Sequence, residues 1–236
     1  MDLISFIVPA YNESFEIGRT LESIFVAARA IGRPFEVIVV NDASTDRTAD
    51  IARAAGTRVI DVQLRKISAV RNVGAREAKG EVLFFIDADT RITEAVLRAA
   101  LKALDNGAAG GGAFVKFEGQ VNWSTRTALF IFGVFYSLLF KWAAGCFIFA
   151  RKTIFQAADG FDESLYASEE IFLSIALKRQ GKFVVVREDV FTSGRKLRMH
   201  SVWQIVPFTL RFLIRGPSML RERDGLGWWY DGKRES

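Results

Sequence analysis

The 236-residue sequence has few cysteines and lacks the common phosphate-binding loops. Its single cysteine, Cys146, excludes an intrachain disulfide and a zinc site built from several cysteines. Nothing therefore requires an oxidising compartment, and a cytoplasmic setting is expected. Neither the G-x-G-x-x-G fingerprint nor the P-loop pattern occurs, so the usual dinucleotide and kinase-like phosphate sites are not indicated.

The composition is that of a globular protein. Half of the residues are hydrophobic and 25% are charged, which excludes a disordered or collagen-like chain and allows a sizeable core. The formal net charge of +5 suits nucleic acid, anionic lipid or phosphorylated substrates equally well. Because no RRM, KH or zinc-finger signature occurs, nucleic acid is not a predicted partner.

Alternating strand and helix patterns in the first half predict an α/β fold with a mostly parallel sheet, covered by helices on both faces. The first helix carries apolar residues such as Phe15, Leu21 and Ile24 on one face and is predicted to stop near Gly32. Thr93 is expected to cap a later helix. The predicted strands are rich in Val, Ile and Phe and span Leu3–Val8, Phe35–Val40, Arg58–Val62 and Glu81–Ile86.

Two segments in the second half raise the question of membrane contact. Residues 127–140 are uncharged but fall short of the roughly 20 residues that a spanning helix needs, which leaves a buried core helix or an interfacial helix. Residues 202–229 mix aromatic and aliphatic side chains with arginines, as a segment lying on a membrane surface does. We therefore expect a domain over residues 1–200 and an amphipathic basic and aromatic tail over 201–236.

Two carboxylates follow the most hydrophobic predicted strand. Asp87 and Asp89 leave the carboxyl end of Val82–Ile86, the edge at which α/β sheets bind ligands. Such a pair can cap a helix or shape a loop, but its position favours Mg²⁺ or Mn²⁺, which bind hard oxygen ligands together with substrate phosphates. The sequence thus indicates a divalent metal site.

Other polar residues are predicted to meet at the same edge. Tyr11 follows the first strand and could pack on a ring, whereas Asp42 follows the second strand and could accept hydrogen bonds from a base. Arg71 precedes the fourth strand and could pair with a diphosphate, and Lys66 is a weaker phosphate candidate. Each of these residues, taken alone, is more often structural.

Six motifs in order resemble glycosyltransferase family 2 over about residues 3–200. They are residues 7–13 (IVPAYNE), 39–46 (VVNDASTD), 71–74 (RNVG), 85–89 (FIDAD), 160–163 (GFDE) and 168–170 (SEE). The resemblance implies a GT-A fold and a metal-dependent, inverting transfer of a sugar from a nucleoside diphosphate sugar to a hydroxyl acceptor.

The resemblance also implies roles for particular residues. Asp87 and Asp89 would hold the metal, with His200 as a possible third ligand, although a lone histidine is more often simply exposed. Glu170 takes the position of the catalytic base, with Glu169 as the alternative; an aspartate usually stands there, and two acids can also serve as helix N-terminal charges. The donor-binding residues would be Pro9, Ala10, Tyr11, Glu13, Asp42, Lys66, Arg71, Asp87 and Arg195.

The acceptor is the least defined part of this prediction. Residues 127–140 and the tail favour a lipid-linked or amphiphilic acceptor and peripheral contact with the inner face of the cell membrane. A soluble acceptor is the main alternative. A module that binds a nucleotide sugar or a membrane without catalysis is the other, although the intact acids at 87, 89 and 170 argue against it.

Overall fold

A computed structural model describes residues 2–118 and 142–194 of the chain. Several predictions lie outside these residues: the apolar segment 127–140, the tail 201–236, the phosphate-binding residue Arg195 and the metal ligand His200. The division into a domain and a tail therefore stays a prediction.

The described residues form helices and strands that alternate along the chain. In order they are β1 (Ile4–Ala10), α1 (Ile17–Ile31), β2 (Phe35–Asp42), α2 (Thr48–Ala54), β3 (Arg58–Val62), α3 (Ile67–Glu77), β4 (Val82–Ile86), β5 (Thr90–Arg91), α4 (Glu94–Asp105), β6 (Gly110–Glu118), β7 (Phe147–Arg151), α5 (Lys152–Ala157), α6 (Glu169–Gln180) and β8 (Phe183–Ser193). Each of the four predicted strands is present, with its ends shifted by two residues or fewer.

The strands form one sheet in the order β3-β2-β1-β4-β7-β6-β8-β5. The first four strands of this order are parallel, as the alternating pattern predicts. β7 is antiparallel to both β4 and β6, and β8 runs parallel to β6. The predicted α/β class with a mostly parallel central sheet is confirmed. The antiparallel strand β7, and the strands β6, β8 and β5 that follow it in the sheet, were not indicated by the alternating pattern in the first half of the sequence.

The central strands are buried because helices cover both faces of the sheet. Along β1, Phe6 and Val8 face the core beneath α1 and α4, whereas Ile7 faces the core beneath α3 and α6. This two-residue alternation separates the interior into two hydrophobic clusters. The sheet edge formed by the carboxyl ends of β1, β2 and β4 is thereby held between two packed layers.

The start of α1 differs from the prediction. Phe15, expected on the apolar face of the helix, is 65% exposed, because the helix begins only at Ile17. The residues before it are tied to the loop after β2, where Ser14 N donates to Asp46 Oδ2. The predicted end is correct: Gly32 follows the helix with φ 72°, a left-handed conformation that glycine adopts without strain.

Candidate active site

The loops after β1 and β2 fasten each other at the carboxyl edge of the sheet. Asn12 N donates to Ser44 Oγ at 3.0 Å, and Thr45 N donates to Asn12 Oδ1 at 2.8 Å. Glu13 N donates to Thr48 Oγ1 at 2.7 Å, and the Glu13 side chain is buried. The structure thus brings together the first two predicted donor-binding motifs, with Pro9 and Ala10 forming the buried end of β1.

The predicted base-binding residues Tyr11 and Asp42 lie beside a loop that the motifs do not include. Asp42 Oδ1 accepts hydrogen bonds from the backbone N–H groups of Leu64 and Arg65, at 2.7 and 3.1 Å. The guanidinium carbon of Arg65 lies 3.8 Å from the centroid of the Tyr11 ring. Sequence reasoning missed Arg65, and no motif or spacing marks its position.

The Asp87-Ala88-Asp89 segment forms a turn fixed by backbone hydrogen bonds. Thr90 N donates to Asp87 O at 3.0 Å, and the Thr20 hydroxyl donates to Ala88 O at 2.9 Å. At the end of β8, Ser193 N donates to Asp89 O at 3.1 Å. These bonds set the backbone from which the two carboxylates extend, and the Asp87 side chain remains 27% exposed.

The side chain of Arg71 lies on the buried side of this turn. Its side chain is 1% exposed; Nη1 donates to Glu169 Oε1 at 2.7 Å, and Nη2 donates to Asp87 Oδ1 at 2.7 Å. Nη2 also donates to Gly145 O at 2.8 Å. In this geometry the guanidinium joins two acids that are 16 and 98 positions away in sequence, whereas the resemblance suggested a contact with the diphosphate.

The electrostatic balance at Arg71 follows from these contacts. Burial disfavours a charged guanidinium, but the negative charges of Asp87 and Glu169 outweigh that effect and raise the pKa of Arg71. The side chain is therefore a permanent buried cation. The Arg71 Nε has no hydrogen-bond acceptor among the described residues. The positive charge of the guanidinium is therefore compensated by the carboxylates of Asp87 and Glu169.

The residues that follow Arg71 explain the rest of its motif. Asn72 binds the backbone of Phe161 in both directions, donating to its O at 2.9 Å and accepting from its N at 3.0 Å, and it also donates to Glu163 Oε1 at 2.9 Å. A Cβ on Gly74 would lie 2.3 Å from Ile7 Cγ2, so α3 packs directly on β1 only with glycine there. The 71–74 motif thus anchors α3 to the sheet and to the 160–163 motif.

The acid pair stands at the start of α6, and its two members differ in environment. Glu169 is 5% exposed and its carboxylate is held by Arg71. Burial, and next the charge of Glu169, raise the pKa of Glu170 to about 8. The Glu170 carboxyl group thus exchanges a proton near neutral pH.

Two further side chains close the site. The Lys66 ammonium donates to Glu163 O at 2.7 Å and lies 3.9 Å from the centroid of the Tyr166 ring, so this predicted phosphate residue ties the loop before α6 to the start of α3. Burial, reinforced by the charges of Asp87 and Asp89, raises the pKa of the Cys146 thiol well above its usual range. Cys146 was not predicted to lie there.

The donor set fits a divalent cation that shares its coordination with a substrate. Within residues 2–118 and 142–194, no group of three or more His, Cys, Asp or Glu side chains is placed to enclose a metal. Asp87 and Asp89 supply hard carboxylate oxygens, and Asp87 Oδ1 is already bonded to Arg71. Mg²⁺ and Mn²⁺ suit this arrangement because they accept one or two protein carboxylates and take their other ligands from phosphates and water.

Comparison with solved structures shows the fold. The mannosyltransferase PcManGT from Pyrobaculum calidifontis, in complex with GDP-Man and Mn²⁺, superposes with a TM-score of 0.67 at 20% identity, covering 86% of this chain and 60% of that one. S. aureus TarS residues 1–349, in complex with UDP-GlcNAc, superposes with a TM-score of 0.58 at 24% identity, covering 81% of this chain and 58% of that one. The chain has the GT-A fold.

Curated relatives share part of the sequence. An undecaprenyl-phosphate 4-deoxy-4-formamido-L-arabinose transferase from Edwardsiella ictaluri is 27% identical over 135 residues, which cover 54% of this chain and 41% of the relative. The protein of that name from Pseudomonas paraeruginosa is 33% identical over 96 residues, which cover 38% of this chain and 28% of the relative. The chain thus matches less than half the length of either protein.

The family itself is shown by a match over most of the chain. Residues 5–160 match the model of glycosyl transferase family 2, and this range contains the first four motifs and the start of the fifth. The chain belongs to glycosyl transferase family 2.

Proposed function

We propose that this chain is a metal-dependent, inverting glycosyltransferase that moves a sugar from a nucleoside diphosphate sugar to a hydroxyl acceptor. The observation that carries the proposal is the pair of hydrogen-bonded ion pairs from Asp87 through Arg71 to Glu169. They join the turn proposed to hold the metal to the helix end that bears the proposed base. One buried cation thus sets the distance between the two halves of the reaction.

The donor half is assigned to the carboxyl edge of the sheet. Tyr11 and Asp42 would bind the base, and Asp87 and Asp89 would hold Mg²⁺ or Mn²⁺. When bound, the ion stabilises the negative charge that grows on the departing phosphate oxygen. Arg71 holds the Asp87 carboxylate through an ion pair, so we assign it a positioning role in place of direct contact with the diphosphate.

Two residues outside the described ranges complete the proposed donor half. Arg195 would pair with the diphosphate, and His200 would supply a third metal ligand as a neutral imidazole. The described part of the chain approaches the Asp87-Ala88-Asp89 turn shortly before these two residues, because Ser193 N donates to Asp89 O.

The acceptor half is assigned to the start of α6. Glu170 removes the proton of the acceptor hydroxyl while that oxygen forms a bond to the anomeric carbon, and the bond from that carbon to the diphosphate oxygen breaks. Attack from the face opposite the leaving group inverts the anomeric centre through an oxocarbenium-like state. A pKa near 8 suits this task at neutral to mildly alkaline pH. Glu169 remains the alternative base, but its carboxylate is committed to Arg71.

We further propose that the acceptor is lipid-linked or amphiphilic and lies at the cytoplasmic face of the membrane. It is supported by the undecaprenyl phosphate in the names of the relatives and by the amphipathic pattern of residues 202–229. No helix within the described ranges is long and apolar enough to cross a membrane. We expect truncation after residue 201 to release the protein from liposomes that carry anionic lipid. Unchanged sedimentation would rule out the tail as the membrane contact and leave a soluble acceptor as the better candidate.

The function is tested by separating donor binding from sugar transfer. Thermal shifts with UDP, GDP, TDP and CMP, their sugar-linked forms, and Mg²⁺, Mn²⁺ or chelator identify the donor, since a ligand of the folded state raises Tm. With that donor, we expect Asp89→Ala to stay folded and lose metal-dependent turnover. Glu170→Gln is expected to keep donor binding and lose transfer, whereas the control Asp50→Asn, on the exposed side of α2, keeps both.

The possible failures of this test are distinct. Full activity of Asp89→Ala would remove the metal assignment. Loss of transfer in Glu169→Gln but not in Glu170→Gln would move the base to its neighbour. Donor binding by the natural sequence without transfer to any hydroxyl acceptor, including water, would favour a noncatalytic binding module.

A further inference from the structure

The carboxyl edge of the sheet carries most of the strongly exposed apolar side chains. Strands β1 to β4 are parallel, β7 is antiparallel to both β4 and β6, and β8 is parallel to β6, so β6 and β8 end at the same edge as β1 to β4. Among the described residues, four large hydrophobic side chains are exposed, and three lie at this edge: Phe15 after β1, Leu64 after β3 and Phe117 at the end of β6. The fourth, Val26, lies within α1. Because exposed apolar residues are normally scattered, their concentration at one edge indicates an interaction surface.

Hydrogen bonds hold the loops of this edge in place. Ser14 N donates to Asp46 Oδ2 at 3.1 Å, which joins the residue before Phe15 to the loop after β2. Leu64 N donates to Asp42 Oδ1 at 2.7 Å, which joins the loop after β3 to the end of β2. The exposed side chains of Phe15 and Leu64 therefore extend from fastened loops and occupy defined positions.

Two arginines on the same loops have no acidic partner. Arg19, in the first turn of α1, and Arg47, directly before α2, are exposed and form no ion pair within the described part of the chain. By contrast, Arg33, just after the other end of α1, pairs with Asp105 at 2.7 Å. A cation in the first turn of a helix also opposes the helix dipole, and α1 has no acid there to offset it. The stability of α1 therefore does not explain the position of Arg19.

Arg19 and Phe15 form an amphiphilic pair. The guanidinium carbon of Arg19 lies 5.6 Å from the centroid of the Phe15 ring. In such a pair the ring can enter the apolar boundary of a bilayer while the guanidinium stays at the lipid phosphates. Of the two acids in these loops, Asp46 accepts hydrogen bonds from two backbone N–H groups and Glu16 is only partly exposed. The edge thus presents its arginines to an anionic partner.

Both segments predicted to contact a membrane follow strands that end at this edge. Residues 127–140 follow β6 in the sequence, and residues 202–229 follow β8. The last described residues before the two segments are bonded to each other, since Gly194 N donates to Glu118 O at 3.0 Å. In the sheet order β3 and β6 are five strands apart, so Leu64 and Phe117 are separated by roughly 24 Å at about 4.8 Å per strand. That separation exceeds the length of one small ligand and favours an extended partner surface.

We propose that the carboxyl edge docks on an anionic lipid bilayer through Phe15, Leu64, Phe117, Arg19 and Arg47, which we call the docking edge. The inference rests on the proposed membrane contact of this transferase. The three apolar side chains enter the headgroup boundary, and the two arginines lie at lipid phosphates. One weak contact gives only reversible membrane binding, so the docking edge and the tail act together. In this orientation the proposed metal site faces the bilayer in which a lipid-linked acceptor lies.

The first experiment tests the apolar part of the docking edge. The full chain is sedimented with vesicles of phosphatidylcholine and phosphatidylglycerol in equal parts. The double variant Phe15→Ser with Leu64→Ser is expected to lower the partition coefficient about tenfold or more, because two large apolar side chains no longer enter the bilayer. Val26→Ser is the matched control, since Val26 is 62% exposed, close to the 65% of Phe15, but lies away from the edge. That control is expected to bind as the natural sequence does.

The second experiment tests the arginines. Arg19→Gln with Arg47→Gln is expected to weaken binding to the same vesicles about tenfold or more, since each arginine near an anionic surface contributes about fivefold. On vesicles of phosphatidylcholine alone, this variant is expected to bind as the natural sequence does. Arg29→Gln is the matched control, because Arg29 lies over the Phe25 ring at 5.5 Å in the last turn of α1, at the opposite end of the helix from Arg19. We expect it to bind both kinds of vesicle normally.

The outcomes separate this inference from the function on which it rests. Vesicle binding that neither double variant weakens would overturn the docking edge and leave the tail as the membrane contact of a transferase. Unchanged vesicle binding together with dissociation of an oligomer in the serine variant, seen by sedimentation velocity, would make the edge an interface between copies of the chain. Loss of the thermal shift with nucleoside diphosphates in the glutamine variant, without loss of vesicle binding, would assign the arginines to the donor site. Absence of vesicle binding by the natural sequence would overturn both the proposed membrane contact and the inference.

Discussion

Replacing Arg71 with methionine tests whether one buried cation holds the site together. Methionine resembles the arginine stem in length and fills much of its volume, but it donates no hydrogen bond. The change removes donors to Glu169, Asp87 and Gly145 O at 2.7, 2.7 and 2.8 Å. It leaves Glu169 buried at 5% exposure without a cation, so its charge is no longer compensated.

The expected loss of stability is large because both charges of the Arg71–Glu169 ion pair are buried. Removing one partner of a buried ion pair costs about 3–5 kcal/mol, which is a substantial part of the roughly 5–15 kcal/mol by which a typical domain is stable. We expect Arg71→Met to reduce the free energy of unfolding by about this amount in urea titrations followed by circular dichroism. Adding Glu169→Gln to Arg71→Met is expected to recover part of the loss, since the uncompensated charge disappears.

A surface pair provides the control for this experiment. Arg53 pairs with Asp61 at a site where both side chains are about half exposed, and such pairs contribute about 0–1 kcal/mol. Arg53→Met is therefore expected to change stability by less than about 1 kcal/mol. A loss of stability below about 1 kcal/mol in Arg71→Met as well would refute the assignment of Arg71 as the cation that compensates the two acids. No recovery of stability in the double variant would refute it too.

The remaining predictions concern the proposed base and the packing of α3. Because the pKa of Glu170 is raised to about 8 and the base must be ionised, kcat/KM is expected to rise roughly tenfold per pH unit from pH 6 and to level off above pH 8; a flat profile would contradict this. Between about pH 4.5 and 8 the folded state keeps the Glu170 proton, whereas the unfolded chain has lost it. The free energy of unfolding therefore falls as pH rises across that window, and Glu170→Gln is expected to reduce this pH dependence in urea titrations. Gly74→Ala is expected to destabilise the protein by about 1–3 kcal/mol in the same titrations, because its Cβ would lie 2.3 Å from Ile7 Cγ2; unchanged stability would mean that α3 shifts freely on the sheet.

The first half of the fold could be predicted because its signals are local. Buried parallel strands consist of short apolar runs, and the strand Val82–Ile86 is recognisable from its composition alone. The cap at Thr93 was also predictable, and its side chain accepts from Val96 N as expected. The second half was harder, because Gly110–Gly112 resembles a loop in sequence yet forms the start of β6, held between β7 and β8. That pairing depends on strands far away in sequence.

The site shows the same division between local and distant information. The position of Asp87 and Asp89 follows from the strand before them. The contact of Arg71 with Glu169 does not, because it arises from the docking of α6 98 residues later, and a basic residue near a phosphate site is readily interpreted as a phosphate ligand. Arg65 could not be inferred, because it reaches Tyr11 through a loop whose path is set by two hydrogen bonds to Asp42.

Helix α3 connects these parts, and this determines how the site responds to change. Successive helical positions point about 100° apart, so Arg71, Asn72 and Gly74 face different neighbours. They meet the two acids, the loop before α6 and strand β1 respectively. A displacement of α3 would therefore move the Asp87 carboxylate and the start of α6 together. Changes that loosen α3 are expected to impair donor binding and proton removal at once, whereas Glu170→Gln impairs only the second.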